Sequence, residues 1–273
     1  MSRCFVGPLL RAGLLRAGLL LAGLIVVAAP AQTPNSAPAA CRTIATDATD
    51  GPAASPANHT IVFENADVRV IDVHSQPHTR EAVHTHARPA ILYFQQQGAG
   101  TMNTPENPRG ASHPTDPNFK PYFKAVEPQG PHWTENTGEV PFHATRVELK
   151  HPGCGLPGWK PAAPGPDDAL TTASGDHSLL FENNEVRVLD VRLAPHTRDS
   201  MHSEPWPGFF YIVQGASLRE FRPGEAEPEL RTFPAGVEVV PSAAGQHSLE
   251  NNSDTPLHLI LFELKYGSSP EKK

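Results

Sequence analysis

Residues 77–89 read PHTREAVHTHARP and contain His78, His84 and His86. A second copy at residues 195–207, PHTRDSMHSEPWP, keeps His196 and His202 but has Glu204 where the last histidine would fall. His84 and His86 are separated by one threonine. On a strand, residues i and i+2 point to the same face, so these two imidazoles project together. His132, in GPHWTEN, brings a third imidazole from a distant segment. Neutral imidazoles that converge on one point suit a divalent transition metal: Fe, Mn, Zn, Cu or Ni. A His-x-His pair alone is weak, and the distant third histidine gives it weight. The bland reading is a polar patch of histidines hydrogen-bonded to one another.

The elements that must position these side chains are written twice. HTIVFENADVRVIDV, from His59, matches HSLLFENNEVRVLDV, from His177, and the match closes through residues 130–150 and 245–265. Residues 59–151 and 177–266 are thus two copies of about 90 residues, the size of a small domain rather than of a solenoid repeat. Residues 32–58, rich in Ala and Pro, and 152–176, rich in Pro and Gly, read as exposed linkers, and 267–273 as a polar tail. Within each copy the strand signals are short. The run from Val68 is β-branched, residues 90–94 and 209–213 are apolar, and residues 257–264 form a further apolar run. With 30 prolines and 21 glycines as punctuation, and no convincing long helix, the pattern is all-β, a sandwich or barrel. Residues 219–241 of the second copy read as two strands. The corresponding residues 102–123 hold five prolines and read as a long loop, either a rim for a site or a surface insertion.

Residues 1–31 stand apart. Arg3, Arg11 and Arg16 precede an apolar run over residues 17–29, and Ala29-Pro30-Ala31 resembles a cleavage site before Gln32. This is the pattern of a secretory signal, and the run is short for a membrane span. Export is expected, with no stable membrane span after removal. Losing three arginines and no acid would take the formal charge from −7 to −10. That balance gives a nucleic-acid partner no electrostatic support. Export would leave Cys41 and Cys154 in an oxidising space, either bridged or as two buried thiols.

The histidine stretches resemble the cupin family across both copies. Its first motif reads G-x5-H-x-H-x3,4-E-x6-G, and its second ends P-x-G-x2-H-x3-N. His84, His86 and Gly98 fill the first, and His132 and Asn136 the end of the second, with Pro128 and Gly130 close before; His202, Gly215, His247 and Asn251 match in the second copy. The resemblance implies two tandem jelly-roll barrels of six to eight strands each, a bicupin. The motif glutamate would fall at Ile91 and Gly208, neither a ligand. The first barrel therefore resembles three-histidine cupins, with His84, His86 and His132 as metal ligands. Such metals serve dioxygenases acting on small organic substrates.

In the second barrel His202, Glu204 and His247 could form a two-histidine, one-carboxylate triad, but a decayed, structural site is favoured. His78 and His196 occupy the motif's glycine position, and histidine tolerates turn dihedrals, so both read as turn residues. Arg88 and Tyr93 are weaker substrate-binding candidates. His143 and His258 read as structural strand residues, and Glu81 and Asp199 as solvated acids. Cupins pair through their barrels, which leaves a homodimer open, although two barrels in one chain can meet that need internally. The alternative to an enzyme is a non-catalytic module that holds a small molecule or a structural metal.

Overall fold

The computed structural model describes residues 44–155, 158, 160–234, 239–242 (backbone only) and 245–265. The expected signal, Cys41 and the polar tail lie outside these residues, apart from residue 44 onward of the first linker. The first copy carries β1 (His59–Glu64), β2 (Val68–Ser75), β3 (His84–His86), β4 (Ala90–Gln96), β5 (Gly100–Asn103), β6 (Ala111–His113), β7 (Tyr122–Val126), β8 (Gln129–Asn136) and β9 (Phe142–Leu149). The second repeats it with β10 (His177–Glu182), β11 (Val186–Leu193), β12 (His202–Glu204), β13 (Gly208–Gln214), β14 (Ser217–Phe221), β15 (Glu229–Thr232), β16 (Val239–Ser242), β17 (Gly245–Asn251) and β18 (Leu257–Leu264).

Each copy pairs a five-stranded with a four-stranded antiparallel sheet. The orders are β1-β2-β9-β4-β7 and β3-β8-β5-β6, then β10-β11-β18-β13-β16 and β12-β17-β14-β15. Matching pairs recur, Ser75 facing Phe142 as Leu193 faces Leu257, and Gly100 facing Asn136 as Leu218 faces Asn251, but β3–β8 has a shift between His84 and His86 that β12–β17 lacks. This is the two-sheet roll expected of tandem jelly-roll barrels, with nine strands in each rather than the expected six to eight.

Three other sequence expectations change. Residues 102–123 are not one long loop, because they contain β6 and lead into β7. All five prolines fall in the connections, so the short strands between them keep their ladder donors. The linkers end earlier than expected. Short helices α1 (Gly51–Ala54) and α2 (Ala169–Thr172) precede the first strand of each copy, and Asp50 and Ser55 are buried. Asp50 also bridges to Thr85 of β3, and Asp168 to Ser203 of β12. Cys154 is disulfide-bonded, which removes the reading of two free thiols.

His78 and His196 are the two non-glycine residues with positive φ, 58° and 55°, among the described residues. Each ring turns out to an exposed acid, Glu139 at 3.0 Å and Asp254 at 2.8 Å. Both are turn residues, as the sequence implied. His143 and His258 make matching 2.6 Å contacts to Asp72 and Asp190, a structural role repeated in both barrels.

Strand alternation divides the apolar residues into two sets. The outward set forms one cluster joining the copies: Val70, Ile91, Tyr93 and Val147 from the first, with Val188, Phe209, Tyr211 and Phe262 from the second. Gln95 Nε2 donates to the Tyr211 hydroxyl across this contact at 3.0 Å. The barrels thus pack on one another within one compact unit. The inward sets differ. Leu193, Phe210, Leu218, Leu249, Leu257 and Leu261 fill the second barrel. The matched positions in the first are Ser75, Leu92, Gly100, Thr134, Phe142 and Arg146. Loss of side-chain volume at four of these six positions hollows the first barrel, whereas large apolar side chains occupy the described inward positions of the second.

Candidate metal centre

The hollow in the first barrel is a cavity of about 280 Å³ lined by His59, His84, His86 and His132 at one end. Met102 and Tyr122 line it too and are 44% and 41% exposed, so it reaches solvent. Its apolar wall comes from the inward residues of β2 and β4, Val73, Leu92 and Phe94, with Phe142 of β9.

The rings of the three histidines expected from the sequence are neighbours, although the imidazole nitrogens that lie within 4.8 Å of one another belong to His84, His86 and His59 rather than His132. His84 and His86 both face inward from β3, and His132 pairs directly opposite His84 on β8. The ring centroids of His84 and His132 are 4.4 Å apart, those of His84 and His86 5.1 Å, and those of His86 and His132 5.6 Å. The sequence reading missed a fourth ring. His59, the first residue of β1, sits 4.4 Å from His84 and 5.3 Å from His86. Ring nitrogens of His59, His84 and His86 lie within 4.8 Å of one another.

Each ring is held the same way. Nδ1 of His84 donates to the Ala82 carbonyl at 2.8 Å, and that of His132 to the Gly130 carbonyl at 2.8 Å. Nδ1 of His59 lies 3.3 Å from the Ser55 carbonyl, and that of His86 3.2 Å from Glu148 Oε1. An acceptor on Nδ1 fixes the tautomer that leaves Nε2 unprotonated, which is how ligating histidines are oriented. The donor set fits a divalent transition metal. Burial holds all four rings neutral, pushing His86 down to about 3 and His59 to about 2, and lowering His84 and His132. Neutral rings are the form that binds metal.

Behind His86 is a charged layer that the sequence did not reveal. Glu148 is fully buried and accepts from Arg69 Nε at 2.9 Å and from Arg146 Nε at 3.2 Å. Arg69 also pairs with Asp50 at 2.7 Å. Burial alone would raise the Glu148 carboxyl, but the His86 hydrogen bond and the Arg146 and Arg69 charges outweigh it and hold it at about 2. Arg146, whose pKa burial lowers to about 10, remains cationic and also donates to Gln129 at 2.8 Å. Removing one partner from such a layer leaves buried charge uncompensated. Glu148→Ala is therefore expected to cost about 3–5 kcal/mol of stability, measured by denaturant unfolding. A loss below about 1 kcal/mol would show that the layer is not a tight ionic network.

Other sequence candidates move. Tyr93 does not enter the cavity. Its neighbours Leu92 and Phe94 point inward, so it points outward, stacked on Phe123 at 4.4 Å in the contact between barrels. Ile91 faces the same way, so the place of the motif glutamate is an outward position here. Arg88 is not a clamp in the cavity. Its Nε donates to the Ile44 carbonyl at 2.9 Å, and its Nη1 lies 3.5 Å from Glu148. Glu81 and Asp199 are not solvated; both are buried. Glu81 accepts from the Thr134 amide at 3.1 Å and lines the cavity, and burial raises its carboxyl. Asn136, the motif asparagine, holds a turn, donating to the Ser75 and Val140 carbonyls at 3.2 and 2.9 Å.

In the second barrel, donor atoms of His202, Glu204 and His247 also lie within 4.8 Å of one another, with Glu204 Oε1 4.0 Å from His202 Nε2 and 3.8 Å from His247 Nε2. All three are buried, and apolar side chains fill the barrel beside them. His177, the counterpart of His59, lies 4.5 Å from His202.

No protein-family model matches the sequence, and neither does any curated protein. Among solved structures, the chain is similar to the formate complex of oxalate decarboxylase from Lactobacillus farciminis, with TM-score 0.44 and 14% identity over 79% of this chain and 86% of that one. It is similar to AerE from Microcystis aeruginosa, with TM-score 0.46 and 13% identity over 76% and 97%. It is also similar to a cupin 2 conserved barrel domain protein from Leptotrichia buccalis, with TM-score 0.40 and 10% identity over 76% and 88%. Such low identities transfer no residue role and no substrate. The chain's own topology is that of two tandem jelly-roll barrels, with the paired motif histidines on β3 and the third opposite them on β8.

Proposed function

We propose that the first barrel binds a divalent transition metal, with His84, His86 and His132 among its ligands, and acts on a small organic substrate in its cavity. One observation carries this reading: buried imidazoles, each tethered through Nδ1, line a cavity that reaches solvent. A metal held by neutral ligands keeps its full charge and supplies Lewis acidity toward an anionic or enolised group, or redox chemistry with O₂.

The chain's own residues do the rest. Glu148 orients His86 and strengthens it as a donor. Val73, Leu92, Phe94 and Phe142 exclude water and take the apolar part of a substrate. Lys124, exposed on β7 where it lines the cavity, attracts an anion to the entrance. The packed second barrel supports the first through the shared outward cluster.

Metal content of the purified protein, followed by oxygen-uptake and product screens on small carboxylates and enolisable ketones, tests the reading. One equivalent of transition metal and turnover of at least one compound are expected. Ligand binding without turnover would leave the non-catalytic module, and no stoichiometric metal would overturn both metal readings.

The site is placed in an exported protein on the strength of residues 1–31. A mature chain beginning at Gln32 outside the cytoplasm is expected; an intact N-terminus on cytoplasmic protein would overturn export. No helix among the described residues is long and apolar enough to cross a membrane.

A further inference from the structure

We propose that His59 is a fourth ligand of the first-barrel metal, which makes the centre an all-imidazole site and biases it toward Cu, Zn, Ni or Fe over Mn. The inference rests on the metal reading above and adds a ligand from outside the histidine motifs.

Geometry is the first support. In the first barrel the set of imidazoles whose nitrogens all fall within 4.8 Å of one another is His59, His84 and His86. His59 and His132 flank His84 at the same centroid distance, 4.4 Å, so the four rings form a connected group. The ring lines the cavity, and its Nδ1 is taken by the Ser55 carbonyl at 3.3 Å, which leaves Nε2 as the ligating nitrogen.

The second support is how the ring is held. Ser55 follows α1, and α1 is pressed against the site. A Cβ added at Gly51 would lie 2.7 Å from His86 Cε1 and 3.1 Å from His59 Cδ2. Only glycine lets the helix approach this closely, so one element fixes His59 and His86 relative to each other. Asp50 at its start pairs with Arg69, which pairs with Glu148, the acceptor for His86. A surface-facing histidine would need no such frame.

A third support is the position left open. No carboxylate joins the group from β4, because Ile91 faces outward and its inward neighbour is Leu92. His59 adds a neutral nitrogen from β1 rather than an anion from β4. Imidazole donors suit Cu, Zn, Ni and Fe, whereas Mn favours carboxylate and water. His59 is 4% exposed.

Cu(II) is the probe. It is added to the metal-free full chain, and the coordinated imidazoles are counted by pulsed EPR alongside affinity by chelator competition. The wild type is expected to show four imidazoles. His59→Ala and His59→Gln are each expected to show three, with affinity at least about 10-fold lower. His177→Ala, at the matching place in the packed barrel, is expected to retain the wild-type first-barrel signal. His59→Gln keeps a polar side chain of similar reach should the alanine variant fold poorly. Wild-type count and affinity in His59→Gln would overturn the role of His59 and leave the His84, His86 and His132 reading standing. A wild type that binds no Cu(II) in the first barrel would overturn both.

Discussion

His86→Ala protein is expected to lose its metal, with affinity reduced by more than about 100-fold, because substitution of outer-layer partners alone costs about 10–100-fold. His86 is the ring most deeply tied into the structure. It faces His84 along β3, approaches His59 and His132 at 5.3 and 5.6 Å, and is backed by the Glu148 carboxylate at 3.2 Å. Alanine removes a donor and also strips Glu148 of one hydrogen bond, leaving it to Arg69 and Arg146. The fold should survive, because both guanidinium partners remain. Elemental measurement and chelator competition on folded variant check this, with His78→Ala as the control. His78 lies in the same stretch, but its ring faces Glu139 at the surface. Equal metal loss in both variants would mean that the protein holds metal adventitiously.

Metal-free protein is expected to lose stability as the pH falls below about 6.5. Burial depresses His59 to about 2 and His86 to about 3. Between those values and 6.5 the unfolded chain takes up protons that the native state refuses. Stability therefore falls with pH by about 1.4 kcal/mol per pH unit for each ring, or about 4 kcal/mol for the pair by pH 5. Glu148 adds to the loss only lower down: its stabilisation is full above about 4.5 and is lost as the pH falls toward about 2.

The second barrel holds shifts of both signs. Burial lowers His202 and His247 to about 4 and His177 to about 3, but raises Asp199 to about 7 and also raises Glu263 beside Arg187. Raised carboxyls stabilise at low pH, opposite in sign to the histidines, so the two sets oppose one another. Denaturant unfolding of metal-free protein at pH 7 and pH 5 measures the difference. Bound metal should flatten the dependence, since a ligated nitrogen cannot take a proton. Equal stability of metal-free protein at both values would contradict neutral, buried rings in the first barrel.

The features legible in the sequence were those with a local period or a repeat. The His-x-His spacing gave a shared face, and the repeat gave two matched barrels. His78 was separable from the ligands because PHTR recurs in both copies while the histidine pair does not. His59 had only one signal, its recurrence as His177 at the first residue of each copy, and no spacing tied it to the other histidines.

Arg146 and Glu148 were hidden by the same logic that makes strands readable. Alternating charged residues on a final strand normally face water, but here they face inward and are satisfied by Arg69 and His86. Tyr93 takes the face away from the cavity, and a short apolar run does not reveal which of its two faces meets it; Arg88 does not share the histidine face because β3 ends at His86. The hollow itself was written in the paired copies: Ser75, Gly100 and Thr134 stand where the second barrel has Leu193, Leu218 and Leu249.

Anomalous X-ray diffraction from metal-loaded crystals, collected at the metal's absorption edge, tests the centre most directly. One strong peak inside the first barrel is expected, about 2.0–2.2 Å from Nε2 of His84, His86 and His132. A first barrel without a peak in protein that carries metal elsewhere would contradict it.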